Sequence, residues 1–149
     1  FGPGGESGTF DYFTGAINGE EGVGRTNYSR SEDDNVTVEG VKDEKGAMGY
    51  FGFTYLEENS DVVKGLAVDG GEGCVSPSVQ TVQDGTYAPL SRPLFIYVNN
   101  ASYADKGQVR AFVDYYVDNA DSIATSSLFV PLTTEQTQTA QDELASLVG

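Results

Sequence analysis

No histidine occurs among the 149 residues. That absence removes Ser-His-Asp and Cys-His nucleophilic relays and any metal site built on imidazole. Tryptophan is absent as well, and Cys74 is the single cysteine, so no disulfide closes within the chain. A lone thiol reads either as a small buried side chain or as half of a bond to a cysteine outside these residues. Positive charge is scarce: eight Lys and Arg stand against 23 Asp and Glu, a formal charge of −15. Nucleic-acid backbones are held by clustered basic side chains, so nucleic acid is not an expected partner. No apolar run approaches the roughly 18 residues that mark a membrane-crossing helix. No signal peptide is visible. The chain starts at Phe1, without methionine and inside a Gly/Pro turn, which reads as a fragment or a processed piece.

What is present fits a globular protein. The length corresponds to about one domain and is enough to bury a core. Nine Tyr and eight Phe supply large apolar surfaces, and 19 glycines point to many turns. The surplus of acid reads as a solvated surface that keeps the chain in solution. The runs Glu32–Asp34 and Glu57–Glu58 lack the alternating spacing of a calcium loop, and read as helix starts or solvated faces. No carboxylate pair stands out for acid–base work, so an enzyme is not expected, nor is a metal or a cofactor. The N-x-[ST] matches at Asn27, Asn35 and Asn100 are of a kind common by chance and carry no weight.

Local patterns divide the chain into alternating elements. Phe10, Phe13 and Ile17 have helical spacing over residues 10–18, with Gly19 as a stop and Ser7 or Thr9 as the N-cap. Ser31 and Asp34 resemble a capping box that opens a helix through Val36, Val38 and Val41. Residues 46–56, rich in aromatics and glycine, read as a buried strand, and 62–69 as another. A turn is expected at Asp84-Gly85. Residues 90–100 carry a strong strand signal, and 126–132 a shorter one. The stripe Val109, Phe112, Val113, Tyr116 and Val117 marks the clearest helix. Thr133 and Gln136 form a capping box for a last helix over 133–148, with Ala140, Leu144 and Leu147 on its apolar face. Strands alternating with helices indicate an α/β fold.

One short segment carries chemistry. Glu6-Ser7-Gly8-Thr9-Phe10 stands directly before a helix, after the run Gly2-Pro3-Gly4-Gly5. A helix N-terminus offers unpaired N–H groups and partial positive charge, and an oxyanion can sit there without a full cation. Gly8 allows close approach to the main chain, and the Ser7 and Thr9 hydroxyls add donors that rotate to suit. The same three residues also make an ordinary helix cap. The segment lacks the G-x-x-x-x-G-K-[ST] pattern of a nucleotide loop.

Five blocks extend this reading: SGTFDYFTGAIN, SEDDNVTVEGV, GAMGYFGFTYLEEN, LAVDGGEGCVSPS and DGTYAPLSRPLFIYV. In this order, over residues 2 to 132, they resemble the phosphate-binding proteins of the bacterial and archaeal phosphate ABC importer, commonly called PstS. The resemblance implies a periplasmic-binding-protein-like (type II) α/β fold of two lobes and a hinge, incomplete here. It implies a periplasmic or lipid-anchored receptor that holds inorganic phosphate between its lobes and delivers it to membrane permease subunits. Carried over residue by residue, it makes Ser7, Gly8 and Thr9 phosphate ligands. Many members have an arginine four residues before the serine; here that position is Pro3, and Arg25, Arg30 and Arg92 remain open as replacements. The family chain is longer, and these blocks correspond to its later half. The layout implied is a lobe carrying the Ser-Gly-Thr helix over 1–88, a crossover strand over 89–98, and part of the other lobe over 99–149. The acidic acceptor that separates protonated phosphate from sulfate belongs to the earlier half. The alternatives are a receptor for another oxyanion or small solute, and a surface adhesion or signalling protein that reuses the fold.

Overall fold

The computed structural model describes residues 1–147. Its chain divides into two units, Phe1–Arg92 and a second beginning at Pro93.

In the first unit, α1 spans Gly8–Asn18. Ser7 is its N-cap, in extended backbone, and Gly19 closes it in the left-handed region with φ +81°. Phe10 and Thr14, one turn apart, face inward and are buried. Thr14 Oγ1 donates to Phe10 O at 2.8 Å and accepts from Gly22 N at 2.8 Å, which folds the following loop back onto the helix. The Phe13 ring stacks on Tyr50, with centroids 3.9 Å apart and planes 9° apart. Ahead of α1, Gly2 is paired with the segment around Arg30: Gly2 N donates to Ser29 O and Ser31 N to Gly2 O, both at 3.1 Å. A Cβ at Gly2 would lie 2.7 Å from the Tyr50 ring, so the close approach requires glycine there.

The second helix, α2, spans Asp34–Asp43. It begins later than the Ser31 capping box suggests. The N-cap is Asp33, whose Oδ1 accepts from Asn35 N at 2.9 Å. Ser31 is held outside the helix by its own amide's bond to Gly2 O, and its hydroxyl closes a local turn on Asp33 N. Of the valines expected inside, Val38 is fully buried and Val36 is exposed. The helix α3, Phe53–Glu58, then stands where the 46–56 strand was expected. Gly46 turns the chain with φ +87°. No segment among the described residues pairs with 46–52, so that stretch forms no ladder. Strands β1 (Val68–Asp69) and β2 (Cys74–Val75) make an antiparallel hairpin. The strand expected over 62–69 is reduced to its last two residues. Asp69 Oδ1 closes the hairpin turn, accepting from Gly71 N at 2.8 Å and Gly73 N at 3.0 Å. Cys74 is exposed on this hairpin, not buried. Helix α4 (Val79–Gln83), capped by Ser78 and Thr81, leads into the turn at Asp84-Gly85; Gly85 has φ +75°.

The second unit holds α5 (Asn100–Asp105), α6 (Gly107–Asp118), α7 (Ala120–Ser126) and α8 (Thr134–Ser146). Val113 and Val117 of α6 are buried with Tyr103 of α5, whose hydroxyl donates to Asp114. Phe112, expected on the same face, is largely exposed. Helix α8 has the capping box read from its sequence: Gln136 N donates to Thr133 Oγ1 at 3.2 Å, and Thr133 N to Gln136 Oε1 at 2.8 Å. Its Gln141 Nε2 donates to Asp118 Oδ1 at 3.0 Å, tying it to α6. Ala140, Leu144 and Leu147 are half-buried.

Neither 90–100 nor 126–132 forms the strand expected of it. Apolar β-branched and aromatic composition makes a segment suitable for a sheet, but a strand exists only where a neighbour accepts its N–H groups. Among the described residues no strand pairs with either segment. Leu94, Phe95, Ile96 and Tyr97 are instead exposed, Tyr97 at 93%.

Two predictions follow from this packing. Burial pushes the Asp34 carboxyl up; the Gly52 amide opposes the shift and neighbouring Asp33 adds to it. A carboxyl raised in the folded state is a penalty above its folded pKa that fades as pH falls through it. Thermal unfolding of Asp34→Asn is therefore expected to show a gain in stability at pH 7 that shrinks toward pH 4. Thr133→Ala removes the cap of α8 and is expected to cost about 1 kcal/mol, read as faster amide exchange across that helix.

Candidate functional site: the N-terminus of α1

Ser7, Gly8 and Thr9 occupy the cap and the first two positions of α1. Ser7 is half-buried, and Gly8 and Thr9 are exposed. Their donors are not equally available. Ser7 N is engaged with Gly4 O at 3.3 Å, and Thr9 N with Ser7 Oγ at 3.2 Å. The amides of Gly8 and Phe10 have no acceptor among the described residues. The Thr9 hydroxyl has no partner among them either, and the Ser7 hydroxyl keeps its proton to donate. The first turn thus presents two unengaged amides and two hydroxyls, with the positive end of the helix behind them. Such a group can receive one small anion.

The loop before the helix is fixed from below. Pro3 is fully buried, and Tyr28 OH donates to its carbonyl at 2.8 Å. Arg30 lies over the Tyr28 ring, 4.9 Å from its centroid. Burial pushes the Tyr50 hydroxyl well above its ordinary range, and the hydrogen bond with Tyr28 adds to the shift. These groups are structural: they hold Gly2–Gly4 in place and so set where Ser7 begins the helix.

Tyr12, one turn after Gly8, connects the helix to the end of the unit. Its hydroxyl is shared between Pro89 O at 2.6 Å and Ser91 O at 3.3 Å. Arg92 follows at once, its guanidinium carbon 4.8 Å from the centroid of the Tyr12 ring. Arg92 Nη2 is 3.6 Å from the place a Cβ on Gly8 would take. Arg25 is engaged elsewhere, through Nε to Asn27 Oδ1 at 3.0 Å, as is Arg30 on Tyr28. Of the three arginines open in the sequence, the fold brings Arg92 to the Ser-Gly-Thr segment. Tyr12 was not among the residues singled out from the sequence. Its spacing of four from Gly8 is the available signal, since residues so placed share a helix face.

Two shallow depressions in this unit lie elsewhere. One is lined by Arg25, Tyr28 and Met48 among others, the second by Phe53, Val63 and Pro77 among others. Neither includes residues 7–9. No group of acidic or cysteine side chains among the described residues is arranged to hold a metal ion.

A family model described as the PBP superfamily domain matches residues 1–120. The chain belongs to the PBP superfamily. Within it, the PstS-like resemblance and the α/β, periplasmic-binding-protein-like fold class both hold. Protein SphX of Synechocystis sp. is 47% identical over 135 residues, which is 91% of this chain and 40% of that protein. The phosphate-binding protein PstS of Staphylococcus haemolyticus is 32% identical over 148 residues, 99% of this chain and 45% of the other. A crystal structure of a possible phosphate binding protein from Planctomyces limnophilus matches all of this chain and 53% of its own, at 37% identity and a TM-score of 0.91. The chain thus spans about half the length of these family members or less.

Tyr12→Phe keeps the ring beneath Arg92 and removes the hydroxyl that holds Pro89 and Ser91. It is expected to cost about 1 kcal/mol in urea unfolding, with no change in secondary structure by circular dichroism.

Proposed function

We propose that this chain is part of an extracytoplasmic receptor that binds inorganic phosphate and passes it to the membrane permease subunits of an ABC importer. The unengaged donors at the start of α1 carry the reading: Gly8 N, Phe10 N and the hydroxyls of Ser7 and Thr9. A tetrahedral oxyanion has several acceptor oxygens, and these donors all belong to the cap and first turn of one helix. Family membership supports phosphate as the ligand, through relatives named as phosphate-binding proteins. In this reading the protein performs no catalysis. Residues 1–88 serve as part of the ligand-bearing lobe, 89–98 as the crossover, and 99–149 as part of the other lobe.

The negative surface does not oppose such a role at short range. Charges beyond about 8–10 Å are screened at physiological salt, while hydrogen bonds to an anion act at contact.

Calorimetry on the whole protein that carries this chain tests the proposal. Phosphate is expected to bind tightly, with sulfate much weaker. Thr9→Ala removes a hydroxyl that no group among the described residues uses, and is expected to weaken phosphate binding about tenfold with an unchanged melting temperature. Equal, weak binding of phosphate and sulfate would instead favour a receptor for another solute.

A further inference from the structure

We infer that Arg92 supplies the positive charge for the anion at the N-terminus of α1, an inference that rests on the proposed oxyanion site and adds a residue to it.

The electrostatics of the position come first. A guanidinium beside the positive end of a helix is unfavourably placed, and what offsets it here is exposure to solvent and the face of the Tyr12 ring. Arg92 makes no hydrogen bond and no ion pair among the described residues, in a chain with 23 carboxylates. An anion received by Gly8 N and Phe10 N would lie against both the helix terminus and the guanidinium. It would turn two like-signed neighbours into two attractive contacts.

The geometry is held, not incidental. The planar guanidinium stacks over Tyr12, which restricts its motion and leaves its N–H edge free to donate. Tyr12 belongs to α1 and is fastened by its hydroxyl to Pro89 and Ser91, the residues that lead into Arg92. Helix start and arginine are therefore fixed to one another through a single side chain. A Cβ at Gly8 would lie 3.6 Å from Arg92 Nη2, so the guanidinium stands next to the main chain of the first turn. The neighbouring Ser91 hydroxyl is also buried without a partner, so the same short segment holds a second unengaged donor. The chemistry selects a compact oxyanion with at least two free oxygens, one facing the amides and another facing the guanidinium.

Titration of inorganic phosphate into the whole protein, the Arg92→Gln and Arg92→Lys variants, and Arg25→Gln as a control tests the assignment; Arg25 is exposed and engaged with Asn27. Arg92→Gln is expected to weaken phosphate binding about 10- to 100-fold, the scale of one charge-assisted hydrogen bond. Its loss of affinity on going from low to high salt is expected to be smaller than the parent's. Arg92→Lys retains the charge without the planar fork and is expected to fall between parent and Arg92→Gln, which keeps the test valid if the glutamine variant does not fold. Arg25→Gln is expected to bind as the parent does. Binding by folded Arg92→Gln or Arg92→Lys within twofold of the parent overturns the role of Arg92 while leaving the oxyanion site intact. A parent protein that binds no phosphate overturns the site itself, and the inference with it.

Discussion

An α-helix leaves its first amides without partners, and what a chain does with them decides what its first turn can bind. In α1 the division is uneven. Ser7 uses its oxygen to satisfy Thr9 N and its amide to meet Gly4 O, so the cap is closed on one side. The amides of Gly8 and Phe10 are left without an acceptor among the described residues. The rest of the first unit is arranged around this division. The bridge between Gly2 and the Arg30 segment fixes the approach to the helix, Phe10 and Thr14 anchor its inner face, and Gly19 ends it. Tyr12 then brings a distant part of the chain to the same end.

Charge enters this arrangement at one point. The surface is strongly acidic, and a long-range field of that sign repels an anion. Short-range donors are indifferent to it once screening is taken into account. A protein of this composition therefore gains more from one well-placed guanidinium than from several dispersed lysines. The stacking of Arg92 on Tyr12 is the means of placing it, since the ring restrains the side chain without using its donors.

The legible parts of the fold were those set by neighbours in sequence. Ser7 and Gly19 bound α1, and Thr133 with Gln136 opens α8, because caps act over three or four residues. The inward side of α6 was visible in Val113 and Val117, although Phe112 broke the stripe. The strands were not legible in the same way. The composition of 46–56 and 90–100 suits a sheet, but pairing is a property of two segments, and none of the described residues pairs with either stretch. Short helices such as α3 and α5 run for less than two turns and leave no periodic trace. For the site, Ser7, Gly8 and Thr9 could be singled out from a local pattern and from ordered family blocks. Which amides stay free depended on where Gly4 O sits. Choosing Arg92 over Arg25 and Arg30 depended on the path of the chain from Pro89 back to α1, which no local signal encodes.

Pro3 lies sealed beneath Tyr28, one residue after a glycine whose missing side chain is replaced by the Tyr50 ring. A longer basic side chain at that fully buried position would have to move its neighbours. The dense seating of the entry loop therefore closes the shortest route for a cation. In the proposed reading the cation comes instead from Arg92, at the far end of the unit, and substitutions at Tyr28 or Tyr50 bear on the seating of the entry loop.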